Sequence, residues 1–557
     1  MALLGLPLEL LQRIIKETIP ESIENVAVTC STLHNASKIY LVEHNRLRKR
    51  YKHFSYSKYT VLKQRGYAKV LLMFNSRCSP GDRRPRHTWK GHWDPVTQET
   101  GIELQGAIEL ITEIVRNPVI PRYIETADLK GNVGMTDAPG DMVDEHPALH
   151  PLFPRIKDEA VIDKLRNLLN DSPYLAEAGI DSEAWLSGML DDTSGHAEVL
   201  LLTLLTNVRE LALPQSWDQI PGRNSGHLRY GEETPRSDRK IIWSVLDALV
   251  RRANDPKIEE AGLSKLEVYR PFTGTGYECR NAMTVNTPFL AIKSVREAYI
   301  GGCIALDDGY TGMPFDPEYP KYSPCLERLD LVGCTFGPEE MRELLSRLPN
   351  LKCLHFAYET KWHGCGHNID AGAMMNAIME SAGETLVELS MWMMVHYGTA
   401  GRTLVDMKGF KQLKSLHIDG LTLLGPKFEK ADEEYEIADA PDVCPLDEMA
   451  APRALDLLPP SLENFHFQTE PVGDRRRDSS DQMKKCLAAL FDGFVEGRGE
   501  RLPNLQEIVV EVVKDDMDQD TKEKLEDRGA RVVLSPAKAD PDFVTDFYRR
   551  FGVGIVH

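Results

Sequence analysis

An apolar-x-x-apolar-x-apolar signature recurs along most of this 557-residue chain, and it leaves few folds open. The clearest copy is Leu326-Glu327-Arg328-Leu329-Asp330-Leu331, followed by Cys334 and Phe336. Looser copies are Ile124/Ala127/Leu129, Val208/Leu211/Leu213, Leu263/Leu266/Val268, Val295/Ala298/Ile300, Leu351/Leu354/Phe356, Leu386/Leu389/Met391, Leu413/Leu416/Ile418, Leu462/Phe465/Phe467 and Leu505/Ile508/Val510. Each suits a short strand with one apolar face. Amphipathic stretches at 338–348, 371–382 and 482–495 separate several of them and read as helices. Strand followed by helix, repeated, predicts an α/β protein of parallel strands, each unit burying its apolar face against its neighbours. Leu329, Leu331, Leu354, Phe356, Leu389, Leu416 and Ile418 are therefore expected in the core.

The copy at 326–336, with Cys334 at the position that ties down the turn after the strand, matches the leucine-rich-repeat pattern. The set resembles the irregular leucine-rich-repeat region of F-box proteins from filamentous fungi. Successive copies lie 25 to 84 residues apart, whereas regular repeats run about 20–29. Insertions at 214–240 and 425–455 then have to be loops or extra helices. A generic α/β domain is the competing reading, since Leu-x-x-Leu-x-Leu also arises by chance in strand-rich chains.

The first fifty residues follow a different grammar. Pro7 suits a helix start, Leu10, Leu11, Ile14 and Ile15 recur at helical spacing, and Pro20 ends the segment. Ile23, Val26, Val28 and Leu33 predict one or two further short helices. So short a unit has more apolar surface than it can bury within itself, so it is expected to dock on something. The string Leu6, Pro7, Glu9, Leu10, Leu11, Ile14, Ile15, Ile19, Pro20, Ile23, Val26, Val28, Cys30 resembles an F-box, although the Trp frequent after the Cys is absent. The resemblance implies docking on the adaptor subunit of an SCF-type ligase and, through it, on a cullin. It places Leu6, Pro7, Leu10, Leu11, Ile14 and Ile15 at the adaptor and implies a non-catalytic role in delivering a protein substrate for ubiquitin transfer. An interaction scaffold without a ligase role is the alternative.

The expected organisation is a small helical F-box unit (1–50), a connector (51–101) rich in Pro, Gly and Arg, an irregular leucine-rich-repeat solenoid (102–535) and a C-terminal tail (536–557). With 42% apolar and 27% charged residues the chain reads as globular, and no apolar run approaches a membrane span. Glu9 interrupts the only candidate signal segment. Ten scattered cysteines read as reduced thiols, so cytoplasm or nucleus is expected. The net charge of −19 argues against nucleic acid as the main ligand, although residues 1–70 carry twelve Lys or Arg against five Glu. The cluster Arg46, Arg48, Lys49, Arg50 and Lys52 fits either an acidic partner or a solvated helix face. The stretch 428–449 is acidic and reads as a solvated loop, with contact to a basic partner as the alternative.

No P-loop, GxSxG, HExxH or paired CxxC motif occurs, and Gly274-x-Gly276 lacks the third glycine of a nucleotide loop. His363, Cys365 and His367, with Cys353 and His355 upstream, carry zinc-ligand chemistry. Their one-residue spacing is unlike a zinc knuckle, so a polar loop and no metal or other cofactor is expected. Recognition falls instead to the side chains interleaved with the core leucines, which alternation sends to the opposite, concave face. Asp330, His355, Trp392, His417 and His466 are the candidates for substrate contact, with Trp392 expected as an exposed anchor.

Overall fold

The computed structural model describes, apart from single positions, residues 3–56, 106–130, 158–191, 195–214, 236–276, 281–306, 319–361, 369–395, 406–424, 451–469, 480–513, 517–535 and 540–556. The expected connector beyond residue 56, the acidic stretch 428–449 and the His363/Cys365/His367 cluster lie outside the described residues. The described chain divides into two compact units, one ending at Phe272 and the other beginning at Thr273. That division falls inside the stretch 102–535 read from the sequence as one domain.

The first unit opens with three helices, α1 (Leu8–Glu17), α2 (Ile23–Thr29) and α3 (Ser31–Tyr51). Pro7 is the residue capping α1, and Pro20 lies just past its end, as the fixed proline torsion favours. Leu11 and Ile15, four apart and so on one helix face, join Ile23, Leu33 and Ala36 in a buried cluster. Leu6, Ile19, Val26, Cys30, Tyr40 and Leu41 pack against it, half-buried. The third helix is much longer than the short helices the sequence predicts. Without a break, the chain continues into β1 (His53–Ser55). This strand pairs in parallel with β2 (Thr126–Asp128), which pairs with β3 (Glu210–Ala212), then β4 (Val268–Arg270). Phe54, Ala127, Leu211 and Tyr269 stand in register and are buried.

Tyr269 corrects one of the sequence copies. Leu263 and Leu266 precede the strand, so the copy 263/266/268 is displaced by three residues from the true register. β1 was also not foreseen; it lies in the stretch assigned to the connector.

The second unit is α/β with a large parallel sheet. Its strands are β5 (Glu297–Gly301), β6 (Arg328–Phe336), β7 (Cys353–Glu359), β8 (Glu388–Val395), β9 (Ser415–Asp419), β10 (Asn464–Gln468), β11 (Glu507–Val513) and β12 (Arg531–Ser535). All pair in parallel with their neighbours in chain order. Helices α4 (Pro338–Leu345) and α5 (Ala371–Ala382) fall where the sequence places them. All seven expected core residues are buried, Leu329, Leu331, Leu354, Phe356, Leu389, Leu416 and Ile418. This face meets the helices: Phe465 and Phe467 lie 6.5 and 5.9 Å, centroid to centroid, from Phe494 and Phe491.

Cys334 lies within β6, its thiol against the Val332 and Ile300 carbonyls at 3.6 and 3.9 Å. The register slips beside it, where Tyr358 pairs with Cys334 and Gly333 is bypassed. Gly333 sits at φ +62°, and a Cβ there would stand 2.9 Å from Glu359 Oε2, so the bulge requires glycine. Beneath it lies a buried ion pair that the sequence did not announce. Lys361 Nζ donates to Glu359 Oε2 at 2.6 Å and to the Gly276 carbonyl at 2.7 Å.

The last helix among the described residues, α6 (Asp542–Phe551), follows Pro541 and stops at Gly552, φ +58°. After it Ile555–Val556 pairs in parallel with Thr275–Gly276. Of the segment 536–557, the described residues 540–553 and 555–556 belong to the second unit.

Candidate functional site

Two surfaces stand out. The first is the outer face of the three N-terminal helices. Of nine large hydrophobic side chains exposed among the described residues, eight lie between positions 3 and 42, so the exposure belongs to this unit. They are Leu3, Leu4, Leu8, Leu10, Ile14, Val28, Ile39 and Val42, with Val28 at 82% and Val42 at 77%. Of the expected adaptor-facing residues, Leu10 and Ile14 are exposed on one face of α1, Pro7 is exposed at its start and Leu6 is half-buried. Leu11 and Ile15 correct the expectation: at 3% and 1% exposure they form the unit's own core and are not available to a partner. The i, i+4 rule explains the split, since residues 10 and 14 share a face that residues 11 and 15 do not. Val28, Ile39 and Val42 are not among the adaptor-facing residues expected from the sequence, although Val28 belongs to the F-box-like string.

The nearby basic cluster is largely paired. Arg46 Nη2 meets Glu43 at 2.6 Å, Arg48 meets Glu24, Lys52 meets Glu125 at 3.3 Å, and Arg50 lies over the Tyr51 ring. Three of these four are ion-paired and Arg50 lies on a ring, as suits a solvated face.

The second surface is the face of the parallel sheet opposite its leucines. Asp330, His355, Ser390, His417 and His466 stand in register across β6 to β10, and Trp392 lies beside Ala357 on the same face, two residues further along. The strand phase read from the sequence therefore brings all five candidates to one side.

Their chemistry is that of a closed network. Arg328 donates from Nε and Nη2 to both Asp330 carboxylate oxygens at 3.1 Å. His355 Nδ1 lies 3.3 Å from Asp330 Oδ1, and its Nε2 lies 2.7 Å from Glu388 Oε1 and 3.4 Å from Cys353 Sγ. Burial opposes a charge on His355, but its hydrogen bonds to Asp330, Cys353 and Glu388 prevail and hold its pKa well above 6.5. The two ring nitrogens thus face Asp330 and Glu388, which favours the protonated ring, while Arg328 Nη2 also lies 3.1 Å from Nδ1. His417 and His466 behave oppositely. Their rings stack at 3.9 Å and 9°, and burial together with the neighbouring His466 drives His417 down to about 3. Burial likewise lowers His466, with Glu511 3.5 Å away acting against it.

Asp330, Cys353 and His355 place three possible metal-ligand atoms within 4.8 Å of one another. Arg328, bidentate on Asp330, already supplies the positive charge there, so the donor set reads as an ion-pair network.

This face is not open. Phe543 of α6 packs 5.0 Å from the His355 ring and 6.3 Å from His417. Phe551 lies 4.7 Å from Tyr299, whose hydroxyl accepts from Arg550 at 2.7 Å. Asp330, His355 and Trp392 are 2%, 3% and 0% exposed, and His417 and His466 are half-buried. The expectation of an exposed strip anchored by Trp392 is corrected accordingly: the face is right, but Trp392 is interior and α6 lies across the row. A signal for α6 was present in the sequence. Phe543, Phe547 and Phe551 recur every four residues between Pro541 and Gly552, a complete start-and-stop pattern.

No protein-family model matches the chain, and no curated protein matches its sequence.

Proposed function

We propose that this chain is a substrate receptor of an SCF-type cullin–RING ubiquitin ligase, and that its second unit is an irregular leucine-rich-repeat solenoid. The observation that carries the reading is the apolar outer face of the N-terminal unit. Its core is complete with Leu11, Ile15, Ile23, Leu33 and Ala36, yet Leu10, Ile14, Val28, Ile39 and Val42 remain in water. Soluble proteins seldom keep such a concentrated apolar set exposed without a partner to cover it. The F-box-like string supplies the partner, the ligase adaptor. Burying each aliphatic side chain contributes roughly 1.5–3 kcal/mol, so two charges placed on this face abolish docking.

The chain itself needs no catalytic group in this role. It holds a substrate protein where its lysines reach the charged conjugating enzyme, a proximity effect, in the cytoplasm or nucleus. The test is co-precipitation of the adaptor by the full chain and by its Leu10→Asp/Ile14→Asp variant. Capture by the parent and its loss in a variant of unchanged melting temperature is the expected result. Equal capture by both sinks the reading. A scaffold without a ligase role is distinguished by substrate turnover in cells, which the double substitution then leaves unchanged.

A further inference from the structure

We infer that Cys353, His355 and Glu388 form a zinc site at the edge of the sheet's polar face, with Asp330 orienting the imidazole from behind. The site stands apart from the receptor reading and does not depend on it.

The strands supply the arrangement before any ion arrives. Cys353 and His355 stand two apart on β7 and so project from one face. Glu388 of β8 pairs in register with Cys353, and Asp330 of β6 with His355. Cys353 Sγ lies 3.4 Å from His355 Nε2, and Glu388 Oε1 lies 2.7 Å from the same nitrogen. Donor atoms around a tetrahedral zinc stand roughly 3.3–3.6 Å apart, so the thiol is already at that spacing. The carboxylate has to draw back by about half an ångström, and its side chain, 45% exposed, is free to do so.

Asp330 is not a ligand in this arrangement, because Arg328 holds both its oxygens. It faces His355 Nδ1 instead, at 3.3 Å. A carboxylate accepting from Nδ1–H fixes the tautomer that leaves the Nε2 lone pair for a metal, the usual support of a zinc-binding histidine. Arg328 Nη2, 3.1 Å from the same Nδ1, has its charge met by Asp330.

Charge balances as well. A zinc ion displaces one proton from the thiol and one from Nε2, two positive charges for two, and the Arg328–Asp330 pair is left as it stands. Calcium and magnesium take oxygen ligands, whereas a thiolate, an imidazole and a carboxylate together suit zinc. Three protein ligands leave a fourth position for water. The ion enters from the solvent edge, where Cys353 is half-buried and Glu388 half-exposed.

The probe is Co²⁺, followed by Zn²⁺, added to the full-length chain stripped of metal with a chelator and kept reduced. One-to-one binding with a thiolate-to-cobalt charge-transfer band, lost on addition of Zn²⁺, is expected. Cys353→Ser should remove the band. Asp330→Asn should keep it while weakening binding about 10–100-fold, and Glu388→Gln should weaken binding at least as much. Cys325→Ser and Cys365→Ser should leave both band and affinity unchanged. Excess Zn²⁺ should raise the melting temperature of the wild type and not that of Cys353→Ser. Glu388→Gln, altered only on a half-exposed side chain, carries the test if the serine variant does not fold. A wild-type chain without the band, a band that survives Cys353→Ser, or one lost with Cys325→Ser or Cys365→Ser overturns the proposal. So does Zn²⁺ binding that Glu388→Gln leaves unchanged.

Discussion

Replacing Trp392 by alanine tests whether the polar face is truly closed. Its side chain is fully buried on β8, beside Ala357 of β7 and 6.5 Å from the His417 ring. Truncation of a buried Trp removes the transfer free energy of the indole and leaves a cavity that the rigid strands on either side cannot fill. Such changes cost about 3–5 kcal/mol, a large part of the roughly 5–15 kcal/mol that stabilises a folded protein. At roughly 2–4 °C per kcal/mol for a unit of this size, the melting temperature should fall by about 6–20 °C. The measurement is thermal unfolding followed by far-UV circular dichroism, with Trp392→Phe as a control that keeps most of the ring and loses less. A midpoint within the error of the wild type, equivalent to under about 0.5 kcal/mol, would place the indole at the surface. The face would then be open, contrary to the packing described above.

Three further outcomes follow from the same structure. Leu11→Ala should destabilise the N-terminal helices by about 2–5 kcal/mol, whereas Leu10→Ala, on the exposed face, should change stability by less than about 0.5 kcal/mol; matched thermal melts compare them. Glu359→Gln leaves the buried Lys361 ammonium without its carboxylate, so chemical denaturation should show a loss of about 3–5 kcal/mol. The histidines give opposite pH dependences. The raised pKa of His355 makes a contribution that is full below 6.5 and fades as pH rises through its folded value. His417, lowered to about 3, contributes above 6.5 and is lost as pH falls toward that value. In denaturation series across pH, His355→Gln should be most damaging in mild acid and His417→Gln least damaging there, and the reverse order would refute both assignments.

The amino-acid sequence by itself determined which residues of each strand face the same way. Alternation has a period of two and is local, so Leu329 and Leu331, or Leu354 and Phe356, announce a buried face wherever the strand ends up. The parallel order followed from the intervening helices, since two strands joined by a helical crossover run in the same direction. Where the strand lacked leucine the reading slipped, as at Tyr269, because Leu263 and Leu266 just upstream matched the pattern better than the strand itself. At the N-terminus the apolar residues were legible as a set, but their division was not. Leu10 and Leu11 are chemically identical, and only the packing of α1 on α2 and α3 sends one inward and leaves the other in water. The polar face shows the limit most plainly. Asp330, His355, Trp392, His417 and His466 were placed on one side from their parity, yet whether that side meets solvent depended on Phe543 and Phe551, far away in the chain. Periodicity encodes which face a side chain takes; what covers that face is a contact between distant segments, and only the tertiary structure decides it.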